Sequence, residues 1–175
     1  MKNLAFLFLL ILGLTSFQTN NITKSNKDKA FIIGVAHYSH TESWKYTDDD
    51  AYRMFAFLKS PEGGALADEQ IQILIDEDAT KTNILKSLDR TFAKAGPNDV
   101  VLFYFSGHGL KGAFLPIDYD GNSNRLEHGE IMNILNKSQA KSKVVIADAC
   151  HSGSLGGAKG STAQSVIETY YNAFS

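Results

Sequence analysis

The only cysteine in this 175-residue chain, Cys150, stands in "VVIADACHSG", residues 144–153. An apolar run leads into it, Asp148 precedes it by two residues, and a His-Ser-Gly turn follows. Cysteine attacks as the thiolate, and a free thiol has a pKa of about 8.5, so attack at neutral pH calls for a nearby base. "FYFSGHG", residues 103–109, offers one at the end of a second apolar run: His108, with Gly107 and Gly109 on either side. Glycine at both flanks lets backbone approach a substrate closely. The backbone N–H groups of Gly109 and Cys150 are candidate donors to the oxyanion formed when a carbonyl is attacked. His151 adjoins the thiol, but adjacent side chains on an extended strand point to opposite faces, which favours His108 as the partner.

These residues need elements that bring them to one place. Residues 30–36, 71–76, 99–105 and 143–149 read as strands, the first, third and last as near-continuous apolar runs of the kind buried on both faces. Between them lie helical patterns. Ala51, Met54, Phe55 and Leu58 recur at helical spacing behind Asp48, Asp49 and Asp50, which suit a helix N-terminus. Thr80 reads as an N-cap ahead of Ile84, Leu85, Leu88 and Phe92, with Gly96-Pro97 as the stop. Residues 126–137 and 161–174 read as two further helices. Alternating strands and helices predict βαβ units, hence an α/β fold with a mainly parallel sheet covered on both sides. Sites in such sheets form beyond the C-terminal strand ends. His108 and Cys150, forty-two positions apart with about one crossover between them, are predicted to share that edge.

Composition narrows the partners. A net charge of −2, with 43% hydrophobic and 21% charged residues, is ordinary for a soluble domain and gives no reason to expect nucleic acid. The chain begins with Lys2 and an apolar run through Leu14, too short for a bilayer that needs about 20 apolar residues, and reads as a secretory signal. The expected organisation is a signal peptide over 1–20, a flexible polar leader over 21–29, and one domain over 30–175. Export to the periplasm or the extracellular space follows, with no membrane partner after signal removal. A single cysteine in an exported chain cannot pair within it, which leaves a buried filler or a reactive thiol.

"FYFSGHG" and "DACHSG", with "IGVAHY" and "DDDA" upstream, closely resemble the bacterial caspase-like peptidases, the metacaspase branch of the caspase family, from about Ala30 to Gly153. The resemblance implies a caspase-haemoglobinase three-layer sandwich and a Cys150–His108 dyad. It also implies cleavage after Arg or Lys, with Asp50, Ser106 and Asp148 holding the basic side chain. The physics agrees, because a desolvated cation needs a carboxylate partner. The segment "PIDYDG" suggests calcium ligation, yet Gly157 stands where calcium-dependent members carry an Asp, and no zinc-type spacing links the histidines. No metal and no cofactor are expected. Asp48 and Asp49 read as helix-start acids, and His37, His40 and His128 as surface residues.

The family pattern continues past the nucleophile into two more strands, and the sequence is expected to stop short of them, as a fragment of a longer product, as a chain completed by a partner, or as a degenerate remnant with its dyad intact. The strand bearing Cys150 is then expected to form a sheet edge, and a partner chain is one source of the missing strands. Two functional readings stay open: a cysteine endopeptidase acting on peptides or proteins with Arg or Lys at the cleavage site, with Lys159 a candidate self-cleavage point, or an inactive caspase-like module that binds peptide or a partner protein. A cysteine hydrolase with a non-peptide substrate is a third.

Overall fold

A computed structural model of the chain describes residues 27–149. The signal segment, most of the leader, Cys150, His151, Gly157, Lys159 and the helical pattern over 161–174 lie outside these residues.

Four strands form a parallel sheet in the order β2-β1-β3-β7: β1 (Lys29–Gly34), β2 (Ile71–Ile75), β3 (Val100–Ser106) and β7 (Ser142–Asp148). Three helices cover it: α1 (Thr47–Lys59), α2 (Lys81–Phe92) and α3 (His128–Lys137). A small antiparallel sheet of β4 (Gly109–Leu110), β5 (Ala113–Phe114) and β6 (Leu126–Glu127) follows β3. The predicted α/β fold with a mainly parallel sheet and helices on both faces is the one observed.

Alternation along the strands sorts the core into two layers. Phe31, Ile33, Phe103, Phe105 and Val145 face α2 and α3, packing with Ile84, Leu88, Phe92, Ile131 and Leu135. Ala30, Ile32 and Tyr104 face α1, packing with Ala51 and Leu58. The two central strands are buried on both faces, which is why they read as unbroken apolar runs. Thr80 caps α2 by accepting from the Asn83 amide at 3.2 Å, an interaction worth about 1 kcal/mol. That helix ends at Phe92, before the predicted Gly96-Pro97 stop. β1 starts at Lys29, and the Asp28 carboxylate accepts from the Val100 amide at 2.7 Å, so the last residues of the expected leader belong to the fold. β7 has no neighbouring strand on its outer side among the described residues, and its Val144 is 37% exposed. No helix among the described residues is long and apolar enough to cross a membrane.

His128 corrects one expectation. It is buried rather than superficial, with its ring 4.6 Å from that of Phe114 and neither ring nitrogen hydrogen-bonded among the described residues. The hairpin carrying Phe114 folds over the start of α3, and the His128 amide donates to the Gly112 carbonyl at 2.8 Å. Burial pushes its pKa down to about 4, so the folded state resists a proton that an unfolded chain accepts near 6.5. The resulting stability is intact above about pH 6.5 and is lost as pH falls toward about 4, to the extent of roughly 2 kcal/mol. Thermal unfolding of wild type and His128→Leu at pH 7 and pH 4.5 reads this out. Wild type is expected to lose about 4–8 °C more than the variant on acidification. Equal losses would refute the assignment.

Candidate active site

The C-terminal ends of β1, β3 and β7 meet at one rim. The registers pair Gly34 with Ser106 and Ser106 with Asp148. Beyond that line the Val35 amide donates to the Ser106 carbonyl at 3.0 Å and the Gly107 amide to the Asp148 carbonyl at 3.2 Å. The backbone leaving β3 is therefore held on both sides just before His108.

Gly107 makes the next turn possible. Its φ is +156°, and a Cβ there would lie 2.6 Å from the Tyr38 hydroxyl and 3.2 Å from the Phe105 ring. The Tyr38 hydroxyl occupies that space for a reason: it accepts from the His108 amide at 2.9 Å and donates to the Leu115 carbonyl at 2.9 Å. Burial pushes its pKa strongly upward, which keeps it a neutral O–H donor.

The His108 ring lies between Tyr38 and Trp44, at centroid distances of 4.8 and 4.7 Å and tilts of 59° and 56°. Its Nε2 is 2.6 Å from the Glu42 carbonyl oxygen. A carbonyl oxygen only accepts, so Nε2 carries the proton. In the neutral ring Nδ1 is then the unprotonated nitrogen, able to take a proton from a thiol. Trp44 is itself held by its amide, which donates to the Ala36 carbonyl at 2.9 Å.

The predicted substrate-holding residues converge on the α1 face of the sheet. Ser106 is fully buried, and its Oγ reaches no partner in hydrogen-bond geometry among the described residues. Asp148 ends β7 beside it and is exposed. α1 brings Asp50 in from above. The Thr47 hydroxyl donates to the Val35 carbonyl at 2.7 Å, and a Cβ on Gly34 would meet the Thr47 carbonyl at 2.7 Å and the Ala51 Cβ at 2.8 Å, so the first turn of α1 lies directly on the end of β1. Asp50 approaches Arg53 at 3.8 Å on its solvent side. Asp48 and Asp49 fall in the first turn of α1, as helix-start acids do.

Tyr104, two residues before Ser106 on the same face, registers both acids. Burial raises its pKa first, the neighbouring Ser106 hydroxyl tempers the rise, and the Asp50 and Asp148 carboxylates add to it. The two acids thus act on one phenol from α1 and from β7.

Gly109 opens β4, opposite Phe114. The Leu115 amide donates to the His108 carbonyl at 3.0 Å, which puts that pair in the bonded phase of the ladder. Alternation leaves Gly109 in the other phase, its N–H directed away from β5. The residues suspected of calcium ligation have other tasks: Asp118 accepts from the Lys81 amide at the start of α2, and Asp120 accepts from the amides of Asn122 and Ser123. No group of three or more metal-ligating side chains occurs among the described residues.

Tyr38, Glu42, Trp44 and Tyr104 were not legible as site residues in the sequence. Glu42 acts through its backbone carbonyl, so its side chain carries no signal. Trp44, the only tryptophan of the chain, was the one available hint.

The caspase domain family matches residues 27–172. Metacaspase-1 of Ajellomyces capsulatus is 30% identical over 160 residues, covering 79% of this chain and 44% of that protein. Metacaspase-1 of Eremothecium gossypii is 31% identical over 147 residues, covering 72% of this chain and 32% of that protein. The chain thus spans less than half the length of these curated relatives. A crystal structure of a Geobacter sulfurreducens protein, 20% identical, superposes with a TM-score of 0.52 over 83% of this chain and 61% of its own, which supports the fold alone. With a caspase-domain match over most of its length, the chain belongs to the caspase family, and metacaspases are among the proteins it is similar to.

Proposed function

We propose that the protein is a cysteine endopeptidase that cleaves after Arg or Lys, with Cys150 as nucleophile and His108 as its base. The observation that carries this reading is the bond from His108 Nε2 to the Glu42 carbonyl. It commits Nε2 to donation and leaves Nδ1 to accept.

In the proposed sequence, His108 Nδ1 takes the Cys150 proton and Sγ bonds to the substrate carbonyl carbon. The developing oxyanion is met by the N–H groups of Gly109 and Cys150. His108 then returns the proton to the departing amine as the C–N bond breaks. A water, deprotonated by the same nitrogen, hydrolyses the thioester and restores the thiol. Ser106, Asp50 and Asp148 receive the substrate cation. A groove of about 410 Å³ beside Trp44 and the first turn of α1 gives flanking substrate residues room.

The test is a panel of fluorogenic peptides identical except for Arg, Lys, Ala or Asp before the scissile bond. Two carboxylates facing one cation, each worth about 1.5–3 kcal/mol, set an expected preference of about a hundredfold or more for Arg and Lys over Ala in kcat/KM. No cleavage of any of the four, with tight binding of the basic peptides, would favour the inactive binding module. Equal cleavage of all four would leave the peptidase and remove the basic pocket.

A further inference from the structure

The segment between β1 and α1 supplies the groups that hold the His108 ring, and that segment is itself tied to the end of β2. Asp76, the residue after β2, is buried and adopts φ +40°, a left-handed conformation that an aspartate takes at a cost. Its Oδ1 accepts from the Ala36 amide at 2.7 Å and the His37 amide at 3.1 Å, and its Oδ2 meets His37 Nδ1 at 2.7 Å. One carboxylate thereby gathers three donors from two consecutive residues. Burial alone would raise its pKa, but these hydrogen bonds outweigh that and hold it below the ordinary carboxylate range. His37 is held above its ordinary value, first by the Asp76 bond, while most of its ring faces solvent.

Residues 36 and 37 are the first anchor of the loop. Ala36, whose amide Asp76 binds, accepts from the Trp44 amide through its carbonyl. Tyr38 follows His37 directly and receives the His108 amide, while Glu42 and Trp44 meet the His108 ring from the same loop. Without the carboxylate, the buried Ala36 amide loses its acceptor, and the loop loses the contact that fixes where Tyr38, Glu42 and Trp44 stand.

We infer that Asp76 is a positioning residue for the proposed dyad, acting on His108 through the 36–46 loop. It touches neither substrate nor the reacting atoms. The inference rests on the reading of His108 as the base of Cys150. A single cysteine makes the consequence measurable without any substrate, because iodoacetamide reports only on Cys150.

The experiment compares wild type, Asp76→Gly, Asp76→Asn and His108→Ala in the rate of Cys150 alkylation at neutral pH, and in ¹⁵N NMR of the His108 ring. Glycine adopts φ +40° freely, so that variant removes the carboxylate while relieving the strain. Asparagine keeps an oxygen for the two amides. Alkylation is expected to fall roughly tenfold in Asp76→Gly and about two- to threefold in Asp76→Asn, the scale of loss that a small misplacement of a reacting group brings. The Nε2–H tautomer of His108 should dominate in wild type, weaken in the asparagine variant and give way to a mixture in the glycine variant. A global loss of stability alone would not redistribute that proton in the folded fraction. Should Asp76→Gly fail to fold, the asparagine variant carries the test with the same two readouts.

Wild-type rates and tautomer in both Asp76 variants, with His108→Ala slowed, would overturn the positioning role and leave the dyad standing. Equal alkylation in wild type and His108→Ala would instead overturn the dyad. The ring tautomer would then still decide whether Asp76 holds the loop.

Discussion

His108→Ala is expected to lower kcat/KM on an Arg-terminated peptide by about a thousandfold or more, the range over which a positioned acid–base group contributes. The loss has two sources in the proposed sequence. The thiol no longer has an acceptor for its proton, and the leaving amine no longer has a donor. His108→Gln separates these from simple packing, because an amide fills the slot between Tyr38 and Trp44 and still donates to the Glu42 carbonyl. It cannot carry a proton to and fro, so its loss should match that of alanine. The pH dependence of Cys150 alkylation gives the matching signature. Below about pH 8.5 the variants should react more slowly than wild type. Well above it the thiolate forms unaided and the rates should converge. Variants that keep wild-type kcat/KM would end the case for His108 as the base, and a rate gap persisting at high pH would point to distortion of the site instead.

The sequence disclosed those features that depend on local pattern. β1 and β3 carry uncharged, mostly apolar runs, Ala30–Ile33 and Val100–Phe105, because both faces are covered, and α2 is amphipathic because only one of its faces meets the sheet. Such patterns are written in neighbouring residues and can be read from them. The rim is different. His108 and Asp148 were placed at strand ends by the βαβ rule, and their neighbourhood follows from the β3–β7 register. The choice of Asp50 among three consecutive acids came from resemblance. Successive helix positions differ by about 100°, so a single one of the three can face the sheet end, and only the helix orientation fixed by Thr47 and Gly34 decides which.

What escaped notice acts at a distance or through backbone. Glu42 contributes a carbonyl, which every residue type possesses. Asp76 meets Ala36 and His37 forty and thirty-nine positions away, in a conformation that its residue type does not announce. His128 is buried by Phe114 of a hairpin fourteen residues earlier, and nothing in "LEHGEI" marks that cover. In each case the deciding partner lies on another element, where local periodicity carries no information.

Asp148→Asn is expected to lower kcat/KM for Arg and Lys peptides by at least tenfold, while cleavage after Ala changes little. Asparagine keeps the shape and one oxygen, so the difference reports on charge. The lost charge-assisted contact is worth about 1.5–3 kcal/mol, which corresponds to roughly ten- to a hundredfold. Asp148 is exposed at the end of β7, so part of its pull on the incoming cation is open to salt screening. Raising ionic strength should therefore shrink the Arg-over-Ala preference of wild type more than that of the variant. Asp50 faces the same phenol from α1, and Asp50→Asn should act in the same direction. In the proposed pocket both carboxylates address one cation, so the double variant should lose less than the product of the single losses, since either change already leaves the cation poorly paired. An Arg-over-Ala ratio that stays fixed in Asp148→Asn would remove Asp148 from the pocket whatever the fate of the dyad, because the ratio cancels any effect common to both substrates.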